Sequence, residues 1–414
     1  SQIRIFTHPT ADFTLRRLSC DIPGVRGKTH VQGEADPVTR KKRSIGLCLI
    51  VKNEAHIIRR CLEHARPLID YVLVADTGSS DGTQSIIRDF LAQHGIPGQV
   101  IDQPWRDFAY NRTGVLKAMH AVKEVDYRLM IDADNVIHFA PDFDPASFKA
   151  NLDKDTYDVL VQHGSSRFYL PWLTSNRLDC HYRGVLHEFL ECPDARSRGT
   201  ADGFWFEQIQ DSARNQNPQK YQDDAKVLNE ALRVETDPFM VSRYTFYLAQ
   251  SYRDGGQLAE SLKAYQKRAG QGGWPEEIWY ALQQVARLRE RLDHPAADVM
   301  HSFLTAYQYR PQRAESLTEL ARYCRERSMY ALARLFAEQA NNIDKPGDTL
   351  FLDADVYAWR ALDEFAVASY WTGDYQDCEV ACETLLAREC LPESQRPRIL
   401  ENLNFARMAL GKKS

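Results

Sequence analysis

Between Ser44 and Thr83 the chain twice runs through one pattern: an apolar stretch that breaks on acidic or amide groups. "SIGLCLIVKNE" is almost continuously apolar until Lys52, and "DYVLVADTGSSDGT" rises to Asp76 before a Gly-rich turn. Runs that do not alternate with polar residues suit strands covered on both faces, as in a parallel sheet. Between them "EAHIIRRCLEHA" has helical periodicity, and "QSIIRDFLAQHG" follows as a second helix closed by Gly95 as C-cap. "QVIDQPW" predicts a third strand, "YNRTGVLKAMHAV" a helix, and "YRLMIDADNVI" a fourth strand. Strands alternating with helices predict an α/β fold: a mostly parallel sheet flanked by helices.

Such sheets bind ligands beyond the C-terminal ends of their strands. Those ends carry Asn53 and Glu54, then Asp76, then Asp102, then Asp132 and Asp134. If the fourth strand extends through the tripeptide "DAD", Asp132 and Asp134 share a face. Two close carboxylates repel, so one pKa rises unless a cation lies between them. Hard divalent cations favour oxygen ligands. The tripeptide alone does not make a site, because it recurs at Asp353–Asp355 in "TLFLDADVYAWRALDEFA". There the following pattern is helical, and the expectation is a helix cap.

From about Pro218 the chain is helical to its end. "YTFYLAQSYRDGGQLAESLKAYQKRA" fits the small, aromatic and Gly positions of a tetratricopeptide repeat. Small residues recur at Ala249, Ala286, Ala321 and Ala366, close to the ~34-residue period of that repeat. The last interval is longer and implies an insertion at "NNIDKPGDTLFLDAD". Leu258, Tyr330 and Tyr375 keep register with their small residues, as do Gly256 and Gly373. The expected domains are an arm or small subdomain at 1–43, an α/β domain at 44–215 and a helical array at 216–414.

The net charge of −5 argues against a general nucleic-acid binder. The run "RKKR" at Arg40–Arg43 fits a solvated linker. No apolar run reaches the ~18 residues of a membrane span, and "SQIRIFTHPT" lacks the apolar region of a signal peptide. Nine scattered cysteines without a CxxC pair predict free thiols in a reducing, cytoplasmic setting.

"LCLIVKNEAHIIRRCLEHARPLIDYVLVADTGSSDGT" with the later "DAD" resembles the family 2 glycosyltransferases of the GT-A fold, over about Ser44 to Cys192. The helical C-terminal half is similar in architecture to the peptide S-glycosyltransferases of bacteriocin gene clusters. The resemblance implies transfer of a sugar, with inversion, from a nucleotide-sugar, UDP-linked above all, with Mn²⁺ or Mg²⁺. It implies that the "KNE" and "DTGSSDGT" segments cradle uridine and ribose, so Asn53, Glu54 and Asp76 bind nucleotide. Asp132 then contacts ribose or a metal-bound water, Asp134 ligates a metal bridging both phosphates, and Arg112 faces the diphosphate. "GVLHEFLE" resembles the family's "VHE" segment, which implies Glu188 as base, His187 as a third metal ligand and Asp179 as the reserve base. The chemistry agrees, since a diphosphate leaving group needs a Lewis acid and an attacking hydroxyl or thiol needs a proton acceptor. The acceptor stays open among peptide, protein and glycan, and the helical array suits acceptor recognition or homodimerisation.

Two other classes fit the sequence less well. A sugar nucleotidyltransferase needs a Gly-rich basic loop after its first strand, and "LCLIVKNEAH" has one Lys and no Gly. A helical-repeat scaffold with a nonenzymatic sugar-nucleotide fold does not need both Asp132 and Asp134. Neither GxxxxGK[ST] nor GxGxxG occurs, which disfavours P-loop and dinucleotide chemistry.

Overall fold

The computed structural model describes residues 43–164 and 166–412. The expected arm therefore lies outside the described residues except for Arg43. The first elements follow the predicted order: β1 (Ile45–Val51), α1 (Ile58–Ala65), β2 (Tyr71–Asp76), α2 (Thr83–His94), β3 (Gly98–Asp102), α3 (Phe108–His120) and β4 (Tyr127–Met130). β1 pairs in parallel with both β2 and β4, and β2 with β3, so these four strands end on one edge. Residues of β1 alternate between two cores. Ile45, Leu47, Leu49 and Val51 pack on the side of α1 and α2, while Cys48 packs with Val115, Leu116 and Met119 of α3. Burial on both faces explains why the run has no polar alternation. Gly95 closes α2 at φ 62°, a left-handed conformation that Gly adopts without a Cβ clash.

The rest of the sheet was less visible. β5 (Asn135–Phe139), α4 (Pro145–Ala150), β6 (Thr156–His163), β7 (Ser166–Ser175), β8 (His181–Arg183), β9 (Phe189–Glu191) and β10 (Arg198–Gln208) follow. β6 and β7 pair antiparallel over "YDVLVQHGSSRFYL". Among the described residues the sheet has eight strands in the order β3-β2-β1-β4-β7-β6-β10-β5, and β8 with β9 forms a separate hairpin.

Helices then run to the end of the described chain. They are α5 (Lys220–Val234), α6 (Pro238–Asp254), α7 (Leu258–Ala269), α8 (Pro275–Arg291), α9 (Ala296–Tyr309), α10 (Glu315–Glu326) and α11 (Tyr330–Asn341). After a π-turn at Val356–Arg360 come α12 (Ala361–Thr372), α13 (Tyr375–Leu386) and α14 (Arg396–Ala409). The small residues that set the repeat are where helices touch: Ala249, Ala286, Ala321 and Ala366 are all at most 1% exposed. The chain divides into two compact units, one ending at Gly273 and one beginning at Trp274. α5 begins at Lys220, five residues beyond the expected boundary at 215/216, and α5, α6 and α7 belong to the sheet-containing unit.

One expectation is overturned. Cys180 and Cys192 form a disulfide across the open end of the β8–β9 hairpin. The sequence hid it because the hairpin, not a short motif, brings the two thiols together. Cys48, Cys61, Cys324, Cys378 and Cys382 are free thiols, Cys390 is not in a disulfide, and Cys20 lies outside the described residues. No helix among the described residues is long and apolar enough to cross a membrane.

Candidate functional site

The edge formed by the ends of β1, β2 and β4 is knitted by side chain to backbone bonds. Asn53, at φ 58°, accepts from the Ser80 N–H through Oδ1 at 2.9 Å, and its own N–H donates to Ser79 Oγ at 2.8 Å. Asp76 Oδ1 accepts from the N–H groups of Gly78 and Ser79 at 2.9 and 2.8 Å. Burial works to raise the Asp76 pKa, but the bonds from Ser79, Gly78 and Gln84 outweigh it and hold the carboxyl below its ordinary value. Asp81 accepts from the Thr83 N–H at 3.1 Å and from the Ala55 N–H at 2.9 Å. Asp102 accepts from Gln84 Nε2 at 3.0 Å and stays exposed.

The first "DAD" is not in a strand. β4 stops at Met130, and the tripeptide forms a turn into β5, with the Asn135 N–H donating to Asp132 O at 3.1 Å and the Asp132 N–H donating to Asn135 Oδ1 at 2.9 Å. The shared face expected from strand geometry is thus replaced by a turn. The two carboxylates still interact. Burial first, and then the charge of Asp132, raise the pKa of Asp134, which is 3% exposed. Glu54, 7% exposed, is pushed up to about 7 by burial and then by Asp134 and Asp81, against the Ala213 N–H and His56.

Arg112 holds the centre. It projects from α3, whose N-cap Asp107 accepts from the Tyr110 N–H at 2.7 Å. Its Nη2 donates to Asp132 Oδ1 at 2.5 Å and its Nε to Glu188 Oε1 at 2.6 Å. Burial opposes its charge, yet Asp132 and Glu188 together raise its pKa above the ordinary value. One buried guanidinium therefore joins a carboxylate after β4 to a carboxylate on the β8–β9 hairpin, and fixes the orientation of both. The Cys180–Cys192 bridge sits at the base of that hairpin.

The segment after β10 closes over the acids. Arg60 donates to Asp211 through two nitrogens at 2.7 and 2.8 Å. The Ala213 N–H donates to Glu54 Oε2 at 3.2 Å, and Asn215 Nδ2 to Asp134 Oδ2 at 3.1 Å. Lys220 Nζ in turn donates to Asn215 Oδ1 at 2.5 Å, and Arg214 lies over the Phe108 ring at 4.8 Å. Sequence reasoning missed Asp211, Arg214, Asn215 and Lys220, because no local pattern distinguishes them from a polar linker.

His187 is placed elsewhere than expected. Its ring stacks on Tyr247 of α6, with centroids 3.8 Å apart and planes at 7°. Crowding by the protein, then the charges of Arg243, Arg214 and Lys220, push its pKa well below the ordinary imidazole value, although the residue keeps an exposed edge. Among the described residues no three His, Cys, Asp or Glu side chains gather as a metal-holding group, so Asp132, Asp134 and His187 do not form one. Asp179 is exposed in the turn before Cys180, and His181 pairs with Glu191 at 3.1 Å. What remains for a metal is a carboxylate pair. The raised Asp134 carboxyl is one that a cation would relieve. The pair suits a hard divalent ion that takes its other ligands from a diphosphate and water.

With the geometry in view, comparison with known proteins places the sheet. Residues 47–183 match the model of glycosyl transferase family 2. The matched segment runs from within β1 to the end of β8, includes Arg112 and both aspartates of the first "DAD", and stops five residues short of Glu188. A TPR repeat-containing protein of Synechococcus elongatus is 32% identical over 91 residues, covering 22% of this chain; the match spans 20% of that relative's length. Residues 1–349 of S. aureus TarS in complex with UDP-GlcNAc align at 14% identity over 60% of this chain and 83% of theirs, with a TM-score of 0.34. BtubC from P. vanneervenii aligns at 14% identity over 49% of this chain and 85% of its own, with a TM-score of 0.36.

Proposed function

We propose that this chain is an inverting glycosyltransferase that moves a sugar from a nucleotide-sugar, UDP-linked, onto the hydroxyl or thiol of an acceptor. The observation that carries the proposal is the Asp132–Arg112–Glu188 bridge at the ligand-binding edge of a family 2 domain. It sets a candidate base against the same guanidinium that orients the first aspartate of the metal pair.

Asn53, Glu54 and Asp76 lie on the two loops that border this edge and form the nucleotide side of the site. Asp132 and Asp134 would hold Mn²⁺ or Mg²⁺. When bound, that ion neutralises charge developing on the departing diphosphate. Arg112, buried and permanently cationic, faces the same charge once a diphosphate competes for it. Glu188 takes the acceptor proton as the acceptor oxygen or sulfur bonds to the anomeric carbon. The bond from that carbon to the diphosphate oxygen breaks, and its electron pair leaves with the nucleoside diphosphate. The anomeric configuration inverts.

Glu188→Gln tests the assignment, since it removes a proton acceptor and little volume. Transfer is expected to fall by about 10²- to 10⁴-fold, with affinity for UDP and Mn²⁺ retained. Product mass spectrometry after incubation with the preferred nucleotide-sugar reads the outcome. Undiminished turnover moves the base role to another group.

A further inference from the structure

We propose that Arg243, Tyr244 and Tyr247 of α6 are positioning residues for Glu188, so the first helices after the sheet form part of the catalytic apparatus. The inference rests on the assignment of Glu188 as base and goes beyond it.

The turn from Gly184 to Phe189 carries Glu188, and α6 contacts almost every residue of it. Gly184 adopts φ 112°, and a Cβ there would lie 3.6 Å from the Met240 side chain. The Val185 N–H donates to Tyr244 Oη at 3.1 Å. Leu186 is buried in a cluster with Met240, Tyr244 and Leu248. The His187 carbonyl accepts from Arg243 Nε at 3.2 Å and Nη2 at 2.7 Å, while its ring stacks on Tyr247. Phe189 packs edge-on against Phe239, and Arg243 lies over the Phe189 and Tyr247 rings at 4.9 and 5.0 Å. Glu188 alone in this run reaches to the other side, to Arg112 of α3.

The backbone records the constraint. His187 sits at φ 51°, a left-handed conformation that a residue with a Cβ keeps only when its surroundings over-determine it. The Arg243 bonds to its carbonyl and the Tyr247 stack on its ring are the surroundings that do so. With them, the turn exposes its next residue to Arg112. Without them, the hairpin keeps the Cys180–Cys192 bridge at its base and the Val185 and Leu186 contacts with α6, but the backbone of His187, next to Glu188, loses the bonds to its carbonyl.

The test uses the full chain and the UDP-sugar that the wild-type protein hydrolyses fastest with Mn²⁺. Tyr247→Ala and Arg243→Ala are expected to lower kcat at least tenfold, with UDP affinity by calorimetry unchanged within twofold. Tyr247→Phe keeps the ring and should restore kcat, which a loss of general stability would not predict. In a Glu188→Gln background, Tyr247→Ala should add nothing, since groups acting through one residue are non-additive. If Tyr247→Ala fails to fold, Tyr244→Phe removes only the oxygen that accepts from Val185 and should lower kcat when assayed well below its melting temperature. Full activity in Tyr247→Ala or Tyr244→Phe, beside an inactive Glu188→Gln, overturns the positioning role. An active Glu188→Gln overturns the base assignment itself.

Discussion

The tripeptide Asp-Ala-Asp occurs twice, and its two copies have little in common beyond their letters. Asp132 and Asp134 occupy a turn at the end of β4, where burial and mutual repulsion raise Asp134. At the second copy, Asp353 Oδ1 accepts from the Asp355 N–H at 3.2 Å at the start of a helical segment, and Oδ2 accepts from Arg360 Nη1 at 2.7 Å. The Asp353 N–H also donates to Glu315 Oε1 at 3.3 Å. The second copy is the helix cap that its context predicted. The charge balance around the two copies is opposite. Near the first, Glu54 is pushed up; near the second, burial would raise Glu319 but Arg287, Arg360 and Arg322 hold it below its ordinary value. Asp134 and Glu54 meet an amide and a backbone N–H, while Arg112 serves Asp132. Acids matched by arginines describe a place held together by its own ion pairs.

The contrast can be broken most severely at Asp134. Asp134→Ala is expected to weaken Mn²⁺-dependent UDP binding by about 100-fold, equivalent to ~3 kcal/mol of charge-assisted contact. Isothermal calorimetry measures it, and an unchanged affinity removes the metal pair from the account.

Stability against pH sharpens the contrast. Glu54 has a raised pKa, so its contribution to stability is complete below the unfolded carboxyl value of 4.5 and is lost as pH rises through about 7. Glu54→Gln should therefore melt higher than wild type at pH 8, by about 2–4 °C, and lose that advantage at pH 4.5. Glu319 has a lowered pKa, so its contribution is present above 4.5 and lost as pH falls through the lowered value. Glu319→Gln should melt lower than wild type at pH 8, with the gap closing in acid. Melting curves at the two pH values that show the same sign for both variants would contradict the charge contrast.

The smallest effect belongs to the second tripeptide. Asp353→Ala should leave UDP affinity unchanged and cost about 1 kcal/mol of stability through the lost cap. A calorimetric titration that finds weakened UDP binding in this variant erases the distinction between the copies.

What the sequence disclosed and what it hid follow from the range of each interaction. β1 to β4 were legible because burial on both faces leaves a continuous apolar run. The strand ends were legible because polar residues stop those runs. Asp353 was legible because a cap is a local bond. The Arg112 bridge joins residues twenty and seventy-six positions apart in the chain, and no periodicity encodes such a meeting. Glu188 could be picked out by resemblance, but its partner could not. The setting of His187 was hidden for the same reason: its stack on Tyr247 depends on where α6 packs. Cys180 and Cys192 looked like unpaired thiols until β8 and β9 brought them together. The split of the chain also follows packing, since α5 to α7 look like the start of a repeat array yet group with the sheet.

The central claim is that the edge bearing Asp132 and Asp134 binds a nucleoside diphosphate through a divalent cation. Calorimetric titration of the wild-type protein with UDP, with Mn²⁺ and again after chelation, tests it without any substitution. Saturable binding with Mn²⁺ and at least tenfold weaker binding without it are expected. UDP that binds equally well after chelation, or in neither condition, would contradict it.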